Sequence, residues 1–107
     1  MTHTPEGFEK YRVKKYLSRI GAYQFWPVQT GYGAATIDCL ACVGGKFVGI
    51  EVKKEGYRPS SFTARQRITI NIIFASGGKV FTGTGDQIIK GMEAWLLEQK
   101  PALAVGK

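Results

Sequence analysis

Residues 36–53, TIDCLACVGGKFVGIEVK, decide how this chain folds. Two runs rich in β-branched and other apolar residues, Thr36 to Val43 and Lys46 to Lys53, flank Gly44-Gly45, a strong signal for a two-residue hairpin loop. With that loop, Val43 pairs with Lys46, and counting outward brings Asp38 directly opposite Glu51. Opposed residues share a face of the sheet with Cβ atoms about 4.5–5.5 Å apart, and the strand period of two adds Lys53 to that face. The other face reads Ile37, Cys39, Ala41 and Val43 against Val48, Ile50 and Val52. It is apolar except for Lys46, so it is expected to meet the core.

The surrounding elements follow from local signals. Thr4-Pro5-Glu6 has an N-cap, a proline at the first helical position and an acid in the first turn, predicting a helix that Gly21 ends. Val13, Tyr16, Leu17 and Ile20 form its apolar stripe, which Glu6 extends. Tyr23 to Gln29 reads as a further strand. Thr63-Ala64-Arg65-Gln66 is a capping-box pattern opening a segment up to Gly77-Gly78. We read this segment as a helix, although Ile68, Ile70, Ile72, Ile73 and Phe74 also suit a strand. Lys79 to Thr82 is a short strand. Asp86 to Gln99 is a final helix with Ile88, Met92, Trp95 and Leu96 on one face, ended by Pro101. The order helix, three strands, helix, strand, helix predicts an α/β fold around a small mixed sheet, with residues 1–107 as one domain.

The charge balance says what such a domain meets. Fifteen Lys and Arg against eight Asp and Glu give a net charge of +7, with 44% of residues apolar and 21% charged. That is a globular composition with a positive surface, suited to a polyanion such as nucleic acid; an anionic membrane surface is the competing reading. No apolar run approaches the ~20 residues needed to span a bilayer. The first residues, MTHTPEGFEK, do not read as a signal segment. A cytoplasmic protein with Cys39 and Cys42 as free thiols is expected.

Two carboxylates held as close as Asp38 and Glu51 repel unless a cation lies between them. Magnesium takes hard oxygens, commonly one or two carboxylates with waters and phosphates. Lys53 beside it would orient or deprotonate a water and stabilise charge on a phosphate. The hairpin is thus a candidate site for metal-assisted phosphodiester hydrolysis. The plain alternative is an exposed hairpin whose charges contribute little.

The stretch GYGAATIDCLACVGGKFVGIEVKKEG, followed by TARQ and a Gly-Gly pair, resembles the VRR-NUC family of the PD-(D/E)xK nuclease superfamily, especially its small stand-alone, phage-type members. The resemblance runs from Glu6 to about Thr82 and rests on Glu6, Asp38, Glu51-Val52-Lys53 and Gln66 in that order. The proline that the family carries before the motif aspartate is here Ile37. The resemblance implies a restriction-endonuclease-like α-β-β-β-α-β-α core and a Mg²⁺- or Mn²⁺-dependent DNA endonuclease. It also implies branched or structured substrates, a place in replication, repair or recombination in a phage or bacterial-type host, and 5′-phosphate and 3′-hydroxyl products. Asp38 and Glu51 would be metal ligands, with the Val52 carbonyl a third and Glu6 an accessory carboxylate. Lys53 would position or activate the water, and Gln66 would support the site. A catalytically silent nucleic-acid-binding domain of the same fold is the alternative.

Lys54, Arg58, Arg65 and Arg67 flank the site in sequence and are the candidates for phosphate contacts. Tyr32, in Gly31-Tyr32-Gly33, is a candidate for stacking on a base, whereas Phe25 is assigned to packing. Gln66 has a second reading, since the fourth place of a capping box is filled for helix stability alone. Cys39 and Cys42 do not make a zinc site, because an offset of three on a strand sends the thiols to opposite faces. His3 receives no role. One site cuts one strand, so a two-fold homodimer is expected.

Overall fold

Gly44 and Gly45 adopt φ of +57° and +82°, both positive as a tight primed hairpin turn requires. The pairing that follows is Val43 with Lys46 through Cys39 with Ile50, the register that the two-residue loop demands. This hairpin is the centre of a computed structural model that describes residues 4–28 and 37–105. Its elements are α1 (Pro5–Arg19), β1 (Tyr23–Phe25), β2 (Cys39–Val43), β3 (Lys46–Val52), α2 (Ala64–Ala75), β4 (Lys79–Gly83) and α3 (Gly85–Val105), with a short 3₁₀ turn at Pro59–Ser61. The four strands lie in the order β1-β2-β3-β4; the first three run antiparallel and β4 joins β3 in parallel. The α/β mixed sheet flanked by helices is therefore the architecture expected.

A parallel pair needs a crossover, and α2 provides it. That requirement, with the Thr63 cap, settles the ambiguous isoleucine-rich segment as helix: Thr63 Oγ1 accepts from Gln66 N–H and Gln66 Oε1 accepts from Thr63 N–H. α1 and α3 cover the opposite face. Val13, Tyr16 and Leu17 of α1 and Ile88, Met92 and Trp95 of α3 close over Cys39, Ala41, Val43, Val48, Ile50, Val52 and Phe81 to form the core. Among the described residues, no helix is long and apolar enough to cross a membrane.

Five expectations need correction. The second strand starts at Cys39, with Asp38 in a bend before it, and the first ends at Phe25; Gln29 to Thr36 lie outside the described residues. Because of that bend, Ile37 does not share the core face with Cys39. It lies over Gly49, where a Cβ would come within 2.6 Å of its Cδ1 and 2.9 Å of that of Ile73, on the α2 side. Phe25 is half exposed, not packed, because β1 is a short edge strand that turns Gln24 toward α1, where its amide donates to Ser18 Oγ and Lys14 O. Finally, α3 continues past Pro101 to Val105; a proline costs a helix one hydrogen bond and a steric clash but does not forbid it.

Candidate active site

β3 is paired on both edges and covered on both faces, so a charged residue on it loses its water. Glu51 is 2% exposed and Lys53, one residue past the strand end, is 7% exposed. The position of Lys53 is set by its backbone N–H, which donates to Gly83 O at 2.7 Å and carries the β3–β4 ladder one step further.

Asp38 and Glu51 meet across the hairpin, but through side chains rather than a continued backbone ladder. The Asp38 N–H donates to Glu51 Oε1 at 3.2 Å, and Asp38 Oδ2 accepts from the Val52 N–H at 2.8 Å. This exchange fixes both carboxylates. Lys53 Nζ donates to Ser61 O at 2.9 Å and Gln66 Oε1 at 3.2 Å, lies 3.5 Å from Glu51 Oε2 and stands over the Phe62 ring at 4.7 Å. The Gln66 amide nitrogen donates to Glu51 Oε2 at 2.8 Å. Its orientation is forced, since the oxygen faces two donors and the nitrogen an acceptor. The capping role and the contact with Glu51 thus coexist in one side chain.

Burial, and then the nearby charge of Asp38, push the Glu51 carboxyl up to about 7, against the opposing pull of Lys53. Loss of water, more than charge repulsion, is thus what favours the protonated form.

Glu6 does not join the carboxylate pair directly. It is half-exposed and binds Lys10 Nζ at 3.3 Å, and the same ammonium lies 3.5 Å from Asp38 Oδ1. Lys10 is not among the residues that the sequence singles out as candidates. The signal was there: four residues after Glu6 and three before Val13, Lys10 occupies the stripe that faces the sheet. Ser61 and Phe62, which cradle Lys53, left no such signal: Ser61 contributes a main-chain carbonyl, which has no side-chain signature, and the Phe62 ring meets the ammonium only in the tertiary fold.

The donor set is one of hard oxygens: two carboxylates and, next to them, the Val52 main chain, with no imidazole or thiolate. Among the described residues no group of three or more His, Cys, Asp or Glu side chains converges. Such a set fits Mg²⁺ or Mn²⁺, which keep waters and substrate oxygens in their remaining positions. It does not fit zinc. Cys39 is buried and Cys42 exposed, on opposite faces as expected.

All four candidate phosphate contacts, Lys54, Arg58, Arg65 and Arg67, are exposed. Arg67 differs in also bracing the loop that carries Ser61, donating from Nη2 to Pro59 O at 2.6 Å and from Nε to Phe62 O at 3.3 Å. Tyr32 lies outside the described residues.

No family model and no curated protein matches the sequence. Among solved structures the chain is similar to one described as a VRR_NUC domain, with a TM-score of 0.67 and 25% identity over 84% of this chain and 96% of that one.

Proposed function

The chain belongs to the VRR-NUC family and has its nuclease-type fold, and from that premise we propose that it is a divalent-metal-dependent endonuclease acting on DNA, with branched or structured DNA as substrate. The observation that carries this reading is the convergence of Asp38, Glu51 and Lys53, two of them almost without solvent, in a chain of net charge +7. A purely binding domain gains nothing from carboxylates turned toward a polyanion.

Asp38, Glu51 and the Val52 carbonyl would hold Mg²⁺ or Mn²⁺. When bound, the ion polarises a phosphate oxygen and makes water a better nucleophile at neutral pH. Lys53, held by Ser61 O and Gln66 Oε1, orients the attacking water and stabilises the negative charge that builds on the phosphate. Gln66 keeps Glu51 in place. Glu6 acts as an accessory carboxylate, linked to Asp38 through Lys10. Lys54, Arg58 and Arg65 draw the phosphate backbone toward the site. The water attacks the scissile phosphorus in line, and the family resemblance adds release of a 3′-hydroxyl and a 5′-phosphate.

Two sites are needed to cut both strands symmetrically, and we propose a homodimer. An uncovered apolar area formed by Tyr23, Phe25 and Phe47, each at least half exposed, supports it. Gel filtration across a concentration series should show a dimer.

The test of activity is cleavage of linear, flapped and four-way-junction DNA with and without Mg²⁺, comparing the wild type with Asp38→Ala and Lys53→Ala. Metal-dependent cleavage lost in both variants is expected. DNA binding with no cleavage of any substrate would overturn the enzymatic reading in favour of a silent binding domain.

A further inference from the structure

Two lysines approach the carboxylate pair, and they are held very differently. Lys53 is buried and tied to a carbonyl, an amide oxygen and Glu51. Lys10 is 31% exposed and is held only by two ion pairs, at 3.3 Å to Glu6 and 3.5 Å to Asp38. An i,i+4 pair between Glu6 and Lys10 on a helix surface is ordinary and worth only a few tenths of a kcal/mol. The contact with Asp38 is not of that kind, since Asp38 lies on a different element and its other oxygen is already engaged by the Val52 N–H.

We propose that Lys10 is a built-in counter-cation of the carboxylate pair, which a divalent ion must displace from Asp38 Oδ1, so that Lys10 sets the affinity of the site for metal. The inference rests on the metal-binding reading above. Without a cation Asp38 and Glu51 repel at the buried end of β3. A divalent ion arriving at Asp38 meets the Lys10 charge at close range and repels it. Lys53 cannot yield, because leaving would strand a buried ammonium and a buried carboxylate. Lys10 can, because its flexible stem already reaches solvent.

The test is isothermal titration of the purified full chain with MgCl₂ and with MnCl₂, without DNA and at constant ionic strength, for wild type, Lys10→Met, Lys10→Arg and Asp38→Asn. Lys10→Met should bind metal roughly tenfold more tightly, the order expected for removing one nearby like charge at partial exposure; Lys10→Arg should stay near the wild type and Asp38→Asn should lose binding. A second measurement needs no variant to fold: the Lys10 side-chain ¹³Cε resonance of the wild type should shift as Mg²⁺ saturates the site. Metal binding of equal strength in wild type and Lys10→Met, or a Lys10 resonance indifferent to saturating Mg²⁺, overturns the role of Lys10 while leaving the metal site standing. No metal binding by the wild type overturns both.

Discussion

Gln66 and Glu51 are joined by a 2.8 Å hydrogen bond that ties the first turn of α2 to the end of β3, while the oxygen of the same amide closes the α2 cap at Thr63 N–H. Helix initiation and the aim of a buried carboxylate thus depend on one side chain. Thr63→Ala removes only the cap and should cost about 1 kcal/mol. Gln66→Ala removes the reciprocal cap bond together with the contacts to Glu51 and Lys53, and should cost roughly 1–3 kcal/mol more because buried charged groups lose partners. Urea unfolding of the two variants measures the difference; equal costs would mean that the Glu51 contact contributes nothing.

Glu51 makes the metal-free protein less stable as the pH rises. Its carboxyl is pushed up to about 7 in the folded chain, from the 4.5 of a free glutamate, by burial and the charge of Asp38. Between those values the folded state keeps a proton that the unfolded state has released, so stability falls as pH climbs from about 4.5 to about 7. Glu51→Gln, neutral at every pH, should lack this slope and be the more stable protein at pH 8 without metal. Thermal unfolding of both proteins across pH 4–8 in a chelating buffer reads this directly. Parallel profiles for the two would contradict it.

Gly83 supports Lys53 from the neighbouring strand. Its φ of +128° is disfavoured for any residue with a side chain, and a Cβ there would meet the side chain of Gln87. Its carbonyl accepts the Lys53 N–H. Gly83→Ala should therefore destabilise the fold by about 1–3 kcal/mol and lower nuclease activity beyond what the loss of folded protein explains. Activity per folded molecule, with the folded fraction taken from circular dichroism, separates the two effects.

Much of this was legible because hairpin arithmetic is rigid. Once Gly44-Gly45 is the loop, the period of two decides which residues share a face, and Asp38 meeting Glu51 follows. The Thr4 and Thr63 caps likewise announce their helices, with Gly7 and Gln66 N–H groups donating to the two hydroxyls. Periodicity alone misleads where an element ends. It cannot see that the ladder stops at Cys39, so it puts Ile37 on the wrong face, and it extends β1 beyond Phe25. Glu9 also went unread: it is a buried carboxylate whose Oε1 accepts the Gly85 N–H at 2.7 Å at the start of α3, a pairing between residues far apart in the chain. Lys10 is a different case. Its place on the sheet-facing stripe is legible, but its partner Asp38 is on another element, and that pairing is visible only in the tertiary fold.

Lys53 and the exposed cations should separate in kinetics, because burial decides which step a charge can serve. Lys53 is 7% exposed, and its ammonium is held within the site. It can reach a phosphate that has entered the site but cannot help recruit DNA from solution. Lys53→Met, which keeps the stem over Phe62, should lower kcat roughly 10²–10⁴-fold and leave DNA affinity within a few-fold of the wild type. Arg58→Ala and Arg65→Ala remove exposed charges instead. Each should weaken DNA binding and reduce the slope of log affinity against log salt by about 0.9, the contribution of one phosphate contact, with kcat nearly unchanged. Arg67→Ala should follow neither pattern. Its guanidinium braces Pro59 O and Phe62 O, so its loss should loosen the loop that presents Ser61 to Lys53 and lower kcat with little change in salt slope. Gel-shift titrations across salt concentrations, paired with single-turnover cleavage, distinguish the three. If Arg67→Ala changed the salt slope as Arg65→Ala does, its side chain would be meeting DNA rather than holding the loop.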